Sequence, residues 1–581
     1  MKLDFRKSMK GNICVQRTMI LAFYILYSVN KPKPMSKKLI IILGSSLGVL
    51  TLAGLFWYLS LSNNKELIKR IPQNAMVIGK IDLKSLASKA KLDEWKNLEM
   101  FKDIKEELNG SAGDTFGKML EKPKGSGFNF FQNVYVFGAN KGSNEDSEFM
   151  GGIVFGVLDA KDLKTTLYDI TEGDAEITES NEVFTAELDR EVAMVWDDNV
   201  GLIYFGDRES LIVDALAQFN QEKDASALKN DAFMEQESLD ADISVFINYQ
   251  SIGEWSESLS RSFGESNMND LSASYKDYEA AGTTVVFEDE QIILESQIYL
   301  KEGVDEDTKQ MTGDDGISEE ELALYAPETP KGFVLFNLAL QNLAPIWTPM
   351  LDEWGITSQE LTDAFSGQMG ISFMGVKEQE VIEVIEDYDY ENWDIYTQDE
   401  PPLVTYNDTS YQMLPVFKIR FGIKNQGTVR KMIEFAEGKS LDSLEKRDGY
   451  YYIGDNDLPM FMNMDNESLE LVSSKEYFGK SSNSWDSDLA SFASSAPGTF
   501  YLNLDYKAYP ELMKDMGRNF NEMRPYLEMF KDVRGTMQGL NSHFEINLTE
   551  SDEPVLYRLM LAINDTYKNN KPMKEVSAIE N

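Results

Sequence analysis

The chain has 581 residues, enough for two hydrophobic cores, and 42% apolar with 26% charged residues is the composition of a folded protein. Its 98 acidic and 55 basic residues leave a formal charge of −43, which repels phosphate backbones and anionic lipid and argues against a nucleic-acid partner. A single cysteine, Cys14, and a single histidine, His543, exclude an intramolecular disulfide, cysteine metal clusters and HExxH zinc sites.

Residues 1–34 include an apolar run, Met19 to Tyr27, that is too short to cross a bilayer. Met35-Ser36-Lys37-Lys38 before a longer apolar run resembles an ordinary bacterial start, so residues 1–34 read as an over-extended start or a cytoplasmic segment. Residues 35–62 hold the anchor. Leu39 to Leu61 is free of charge, and at about 1.5 Å per residue it spans roughly 34 Å, enough for a bilayer core. Lys31, Lys33, Lys37 and Lys38 precede it, whereas the remainder of the chain carries −51, so the positive-inside rule places the acidic body on the extracytoplasmic, periplasmic side. A cleaved signal peptide is the competing reading, but the run exceeds the usual apolar region and lacks a clear small-x-small site.

The body reads as two halves, 70–303 and 329–565, separated by an acidic linker, 304–328, and followed by a polar tail, 566–581. In the first half the strand signals are Ala75 to Ile81, Val134 to Phe137, Ile153 to Val157, Val192 to Trp196, Gly201 to Phe205, Ile243 to Ile247, Thr283 to Phe287 and Ile292 to Leu300. A short helix is expected at Ser318 to Leu324. The second half offers Phe333 to Leu338, Gly370 to Met374, Val416 to Ile423, Tyr450 to Ile453, Phe500 to Leu504 and His543 to Leu548. Adjacent strand pairs predict an α+β fold: a tandem duplication, each half a largely antiparallel sheet with helices packed on one face, behind an N-terminal transmembrane helix.

The duplication rests on a pattern that occurs four times: Ile81-Asp82-Leu83-Lys84-Ser85-Leu86, Ile247-Asn248-Tyr249-Gln250-Ser251-Ile252, Leu338-Ala339-Leu340-Gln341-Asn342-Leu343 and Leu504-Asp505-Tyr506-Lys507-Ala508-Tyr509. Copies one and two are 166 residues apart, as are three and four, and the halves are offset by 257. Each copy ends a strand and opens a helix, with Asp82, Asn248 and Asp505 as caps and no capping side chain at Ala339. Phe155-Gly156 parallels Phe421-Gly422 at an offset of 266, so the second half has gained residues before that point. Glu99 to Lys105 returns almost intact as Glu528 to Arg534, a further apparent equivalence.

Candidate chemistry is sparse. The acidic-aromatic stretch Glu378 to Pro402 contains Asp387, Asp389 and Glu391 at the spacing of the first ligands of a calcium loop. Asn392 and Gln398 stand where that loop needs glycine and a bidentate acid, so the stretch reads as a solvated loop in preference to a metal site. The Ser-x-x-Lys tetrapeptides at Ser88 and Ser443 lack companion motifs, and no P-loop or nucleophile elbow occurs. No catalytic residue is selected and no cofactor is implied.

Ile71-Pro72-Gln73-Asn74-Ala75-Met76-Val77-Ile78, the first repeat, and Pro123-Lys124-Gly125-Ser126-Gly127 ahead of Val134 resemble domain-of-unknown-function family 4836, envelope proteins of Gram-negative bacteria. The resemblance implies an envelope location and transfers no catalytic residue; unlike most members, this chain lacks a lipobox cysteine. The function expected is a non-catalytic binding, interaction or scaffold module with an envelope protein or glycan partner. The alternative is a carboxylate-dependent hydrolase of glycan or peptide.

Overall fold

The structure is a computed structural model that describes residues 64–570, apart from 96, 108–122, 142–147, 207–209, 264–275, 344–354, 389–402, 439–444, 448–449, 454–459, 475–476, 479–484, 510–523 and 525–526. The anchor at 39–61, the alternative start Met35 and the tail beyond 570 lie outside the described residues. Among those described, no helix is long and apolar enough to cross a membrane. The chain forms two compact units, one of residues 1–306 with 541–581 and the other of 307–540.

The first unit contains β1 (Ala75–Ile81), β2 (Val134–Lys141), β3 (Glu148–Gly156), β4 (Glu176–Ser180), β5 (Val183–Asp189), β6 (Val192–Trp196), β7 (Val200–Phe205), β8 (Ile243–Asn248), β9 (Tyr278–Phe287) and β10 (Gln291–Leu300). Hydrogen bonding orders them β10-β9-β8-β1-β2-β3-β7-β6-β5-β4, every neighbour antiparallel. A later strand, β20 (Asn541–Leu548), joins the open side of β10, and the helix Val555–Asn570 follows it into the same unit. The second compact unit ends at Leu540.

Helices cover both faces of this sheet, which corrects the expectation of one covered face. One core joins Leu83, Trp95, Phe101, Ile153, Phe155, Leu163, Met194, Trp196 and Tyr557; another joins Leu67, Ile78, Tyr135, Phe137, Val154, Val195, Leu202, Phe219 and Phe246. The physical reason is visible in β6, where Val192-Ala193-Met194-Val195-Trp196 is buried at every position and feeds alternate residues to the two cores. Trp196 is fully buried, stacks on Phe184 at 5.4 Å and donates its indole N–H to the carbonyl of Ala160 at 3.1 Å.

The second unit contains β11 (Gly332–Asn337), β12 (Phe365–Tyr388), β13 (Leu403–Ile423), β14 (Glu445–Arg447), β15 (Tyr450–Ile453), β16 (Met460–Met464), β17 (Ser468–Val472), β18 (Gly498–Asn503) and β19 (Phe530–Gln538). Their order is β19-β18-β11-β12-β13-β17-β16-β15-β14, again antiparallel throughout. The expected linker helix forms at Glu319–Tyr325, and Ser318 donates its N–H and hydroxyl to Glu321 at 3.2 and 2.8 Å. Leu322 and Tyr325 on this helix pack with Phe333, Leu335 and Leu489.

Three of the four repeated patterns cap as the sequence suggests. Asp82 accepts from the Ser85 N–H at 2.9 Å, Asn248 from Ser251 at 3.1 Å, and Asp505 from Lys507 at 3.0 Å. The third of these opens only a short 3-10 turn, Tyr506–Ala508. A different apparent equivalence fails. Glu99–Glu107 is a helix, whereas Phe530 to Arg534, with almost the same sequence, lies in β19. The heptapeptide is helical where Phe101 is buried and stacked on Trp95 at 5.2 Å, and extended where Asp532 is buried in the ladder with β18. Tertiary packing outweighs local propensity at both places.

Candidate functional site

The feature of the second unit with no other strand beside it is the β12–β13 hairpin. β11 pairs with β12 only as far as Phe373, and β17 pairs with β13 only from Lys418 onward. Beyond those points β12 and β13 continue to pair with each other from Val376↔Pro415 to Tyr388↔Leu403. These thirteen paired positions make a two-stranded ribbon roughly 40 Å long. No other described strand pairs with either edge of it.

The ribbon leaves the sheet through a bulge between Phe373 and Gly375. Gly375 has φ +128°, a conformation that a side chain disfavours, so glycine there permits the change of direction. The described residues 376–388 and 403–416 contain six acidic residues and one lysine. The hairpin is therefore both edge-rich and strongly negative.

A set of buried charges lies at the root of the ribbon. Lys418 and Arg420 on β13, Ser372 on β12 and Glu470 on β17 are all at most 7% exposed. The Lys418 ammonium lies 2.8 Å from Glu470 Oε1, and Arg420 Nε lies 3.9 Å from the same oxygen. The register places Lys418 opposite Ser372 and Arg420 opposite both Gly370 and Glu470, which brings these groups to one face. Above them the Arg420 guanidinium sits 5.4 Å from the ring centre of Tyr325.

The helix Glu319–Tyr325 adds two groups to this set. Burial pushes the Tyr325 hydroxyl up to about 12, although the positive charge of Arg420 pulls in the other direction. Burial also pushes the Glu321 carboxyl upward, but hydrogen bonds from Ser318 and Gln368 and the charge of Arg420 outweigh it and hold the group below the usual carboxylate range. Gln368 Nε2 donates to Glu321 at 3.3 Å. Lys418 Nζ and Arg420 Nε meet Glu470 as ion pairs without good hydrogen-bond geometry, and the Ser372 hydroxyl likewise makes no well-formed hydrogen bond. Lys418, Arg420, Glu470, Ser372 and Tyr325 are withdrawn from solvent, while Glu321 and Gln368 at the margin are partly exposed.

The first unit buries a smaller set. Lys80 forms an ion pair with Glu237 at 2.9 Å and donates to the carbonyls of Glu237 and Leu239, while the Tyr135 hydroxyl donates to Glu237 at 2.7 Å. Asp242, 2% exposed, accepts from Lys89, Ser85 and the Phe287 N–H, which ties the first repeated pattern to the strand before the second. His543 lies on β20 between Glu295 at 3.4 Å and Glu545 at 3.0 Å, on a partly exposed stretch of sheet.

Of the calcium candidates, Asp387 belongs to β12, where its backbone pairs with Val404; Asp389 and Glu391 lie outside the described residues. The stretch from Glu378 to Tyr388 is strand, not the loop expected of it. Its Val381, Ile382, Val384 and Ile385 are strand formers whose signal the dense acids obscured. Among the described residues, no group of three or more histidine, cysteine, aspartate or glutamate side chains is placed to hold a metal ion. Sequence reasoning missed Lys418, Arg420 and Glu470. The available signal was two cations at alternate positions, 418 and 420, in phase with the apolar Val416.

Antiparallel strands carrying helices in each unit define a large α+β protein. The chain belongs to the domain-of-unknown-function family DUF4836, which it matches over residues 68–535. Among solved structures, crystal form I of TP0453 is similar at 8% identity and a TM-score of 0.23, covering 43% of this chain and 82% of that one. Crystal form III of TP0453 gives 9% and 0.24, with 41% and 81% covered. No curated protein matches the chain.

Proposed function

We propose that the protein is a membrane-anchored, extracytoplasmic binding module whose body arose by duplication, and that its task is interaction rather than catalysis. The observation that carries the reading is the β12–β13 ribbon, because a two-stranded hairpin is marginal in water until something packs against it. The charge-free run 39–61, with lysines before it and an acidic body after it, supports the anchor and its orientation. Family membership accords with an envelope location. The carboxylates of Glu470, Glu237 and Asp242, at most 10% exposed, are held in ion pairs with Lys418, Lys80 and Lys89, which favours binding over carboxylate-dependent hydrolysis.

Duplication is supported by strand order. The sequence β9-β8-β1-β2-β3-β7-β6-β5-β4 is matched by β19-β18-β11-β12-β13-β17-β16-β15-β14. The turns before β7 and β17 agree in detail. Asp197 Oδ1 accepts from Asn199 and Val200 at 2.8 Å each, and Asp465 Oδ1 accepts from Glu467 at 2.8 Å and Ser468 at 2.7 Å. This alignment sets Lys418, Arg420 and Glu470 against Gly152, Val154 and Leu202, which sit in the apolar interior of the first unit. It also sets the ribbon against a β2–β3 hairpin that ends at Lys141↔Glu148. Under this reading the second copy has acquired both a long arm and the charges at its root.

The experiment is chemical crosslinking in intact cells, followed by blotting for this chain. A discrete adduct with a different protein is expected. Absence of any adduct, together with release of product from glycan or peptide by the purified body, would overturn the reading in favour of the hydrolase.

A further inference from the structure

Taking the binding reading as its basis, we infer that the β12–β13 ribbon is the docking element and that its occupant is a basic, extended segment of a partner protein, added as a strand to one open edge. Along thirteen paired positions each strand gives one side of its backbone to the other, and no described strand receives the opposite side. An edge of this length is a template for strand addition, where main-chain hydrogen bonds supply affinity and alternate side chains supply selectivity.

Charge selects the occupant. Six acidic residues against one lysine within the described strand residues 376–388 and 403–416 give the arm a strong negative field. Two copies joined edge to edge would hold these arms at a strand spacing of about 4.8 Å, where like charges repel, so self-pairing is disfavoured. A strand rich in lysine or arginine meets the opposite condition, and the same field speeds its approach. The root suits this role. Lys418, Arg420 and Glu470 cross-brace β13 to β17 where the arm departs, so load on the ribbon passes into the sheet.

The test uses the full chain and a variant in which residues 379–412 are replaced by Asn-Gly, closing the hairpin after the Glu378↔Met413 pair. The probe is a short synthetic peptide alternating Lys and Val, compared with the same peptide N-methylated at alternate residues. The unmodified peptide is expected to bind the full chain in a salt-sensitive manner, and to bind about tenfold or more weakly when either the arm or its own N–H groups are removed. Equal binding to the shortened variant, indifference to N-methylation, or arm-dependent dimerisation of the chain would each overturn the inference. Circular dichroism and the thermal midpoint of the shortened variant establish that its body remains folded. If the shortened variant keeps the cellular crosslink while losing nothing in peptide binding, the ribbon inference fails and the binding reading survives.

Discussion

Removing one member of the buried charge set at the ribbon root gives an unequal pair of effects that can be worked from the geometry. Glu470 is the anion that both Lys418, at 2.8 Å, and Arg420, at 3.9 Å, face. Glu470→Gln leaves two cations in a site where Lys418 is 1% and Arg420 6% exposed. Breaking a buried pair in this way costs about 3–5 kcal/mol, or roughly two to three and a half powers of ten in the local opening equilibrium. Lys418→Met removes one cation, while Arg420 still faces Glu470, so the loss is smaller, about 1–3 kcal/mol. Hydrogen exchange of peptides covering 416–423 and 468–472, read by mass spectrometry under native conditions, measures both. The expected order is wild type, then Lys418→Met, then Glu470→Gln as the fastest to exchange. If Glu470→Gln exchanges like wild type, or more slowly than Lys418→Met, the electrostatic joint is not what holds the root.

Three further outcomes follow from packing and capping. Trp196→Ala should lower the stability of the first unit by about 3–5 kcal/mol, and Trp196→Phe by distinctly less, in urea denaturation, because the larger deletion empties a site on the core face shared with Phe184. Asp82→Ala should cost about 1 kcal/mol in the same assay, since it orphans the Ser85 N–H at the start of the helix Leu83–Lys89, while Asp82→Asn should be nearly neutral. For Tyr325 the folded pKa is raised from 10.0 to about 12, so above pH 10 the unfolded chain gives up its proton first. Its contribution is complete below pH 10 and is lost as pH climbs toward 12; Tyr325→Phe should flatten this part of the alkaline unfolding curve.

Alternating strands such as Ala75–Ile81 and the uniformly apolar Val192–Trp196 were legible because a buried sheet imposes its period directly on residue type. The repeated pattern was legible for a related reason: a strand that turns into a helix needs an oxygen such as that of Asp82 or Asn248 at the junction. The burial of both sheet faces was harder to see, because partly alternating strands such as β2 supply one core with Val134 and the other with Tyr135 and Phe137. Val381, Ile382, Val384 and Ile385 promote a strand, but Glu378, Glu380, Glu383 and Glu386 made the same segment read as solvent-exposed loop. The near-identical heptapeptides at Glu99 and Glu528 mark the limit of local comparison, since their conformations are decided by partners distant in sequence. The joint at Lys418, Arg420 and Glu470 was hidden for that reason too: the pairing of β13 with β17 exists only after folding.

Site-specific photocrosslinking in intact cells locates the surface at which the protein meets its partner. A photoreactive residue replaces Lys377, exposed at the base of the ribbon, or Tyr168, exposed on the first unit, with the chain otherwise whole. A defined protein adduct is expected from position 377, abolished by shortening of the ribbon, and none from position 168. An adduct from 168 alone, or one from 377 that persists after residues 379–412 are replaced, would contradict the claim that the acidic ribbon is where this protein meets its partner.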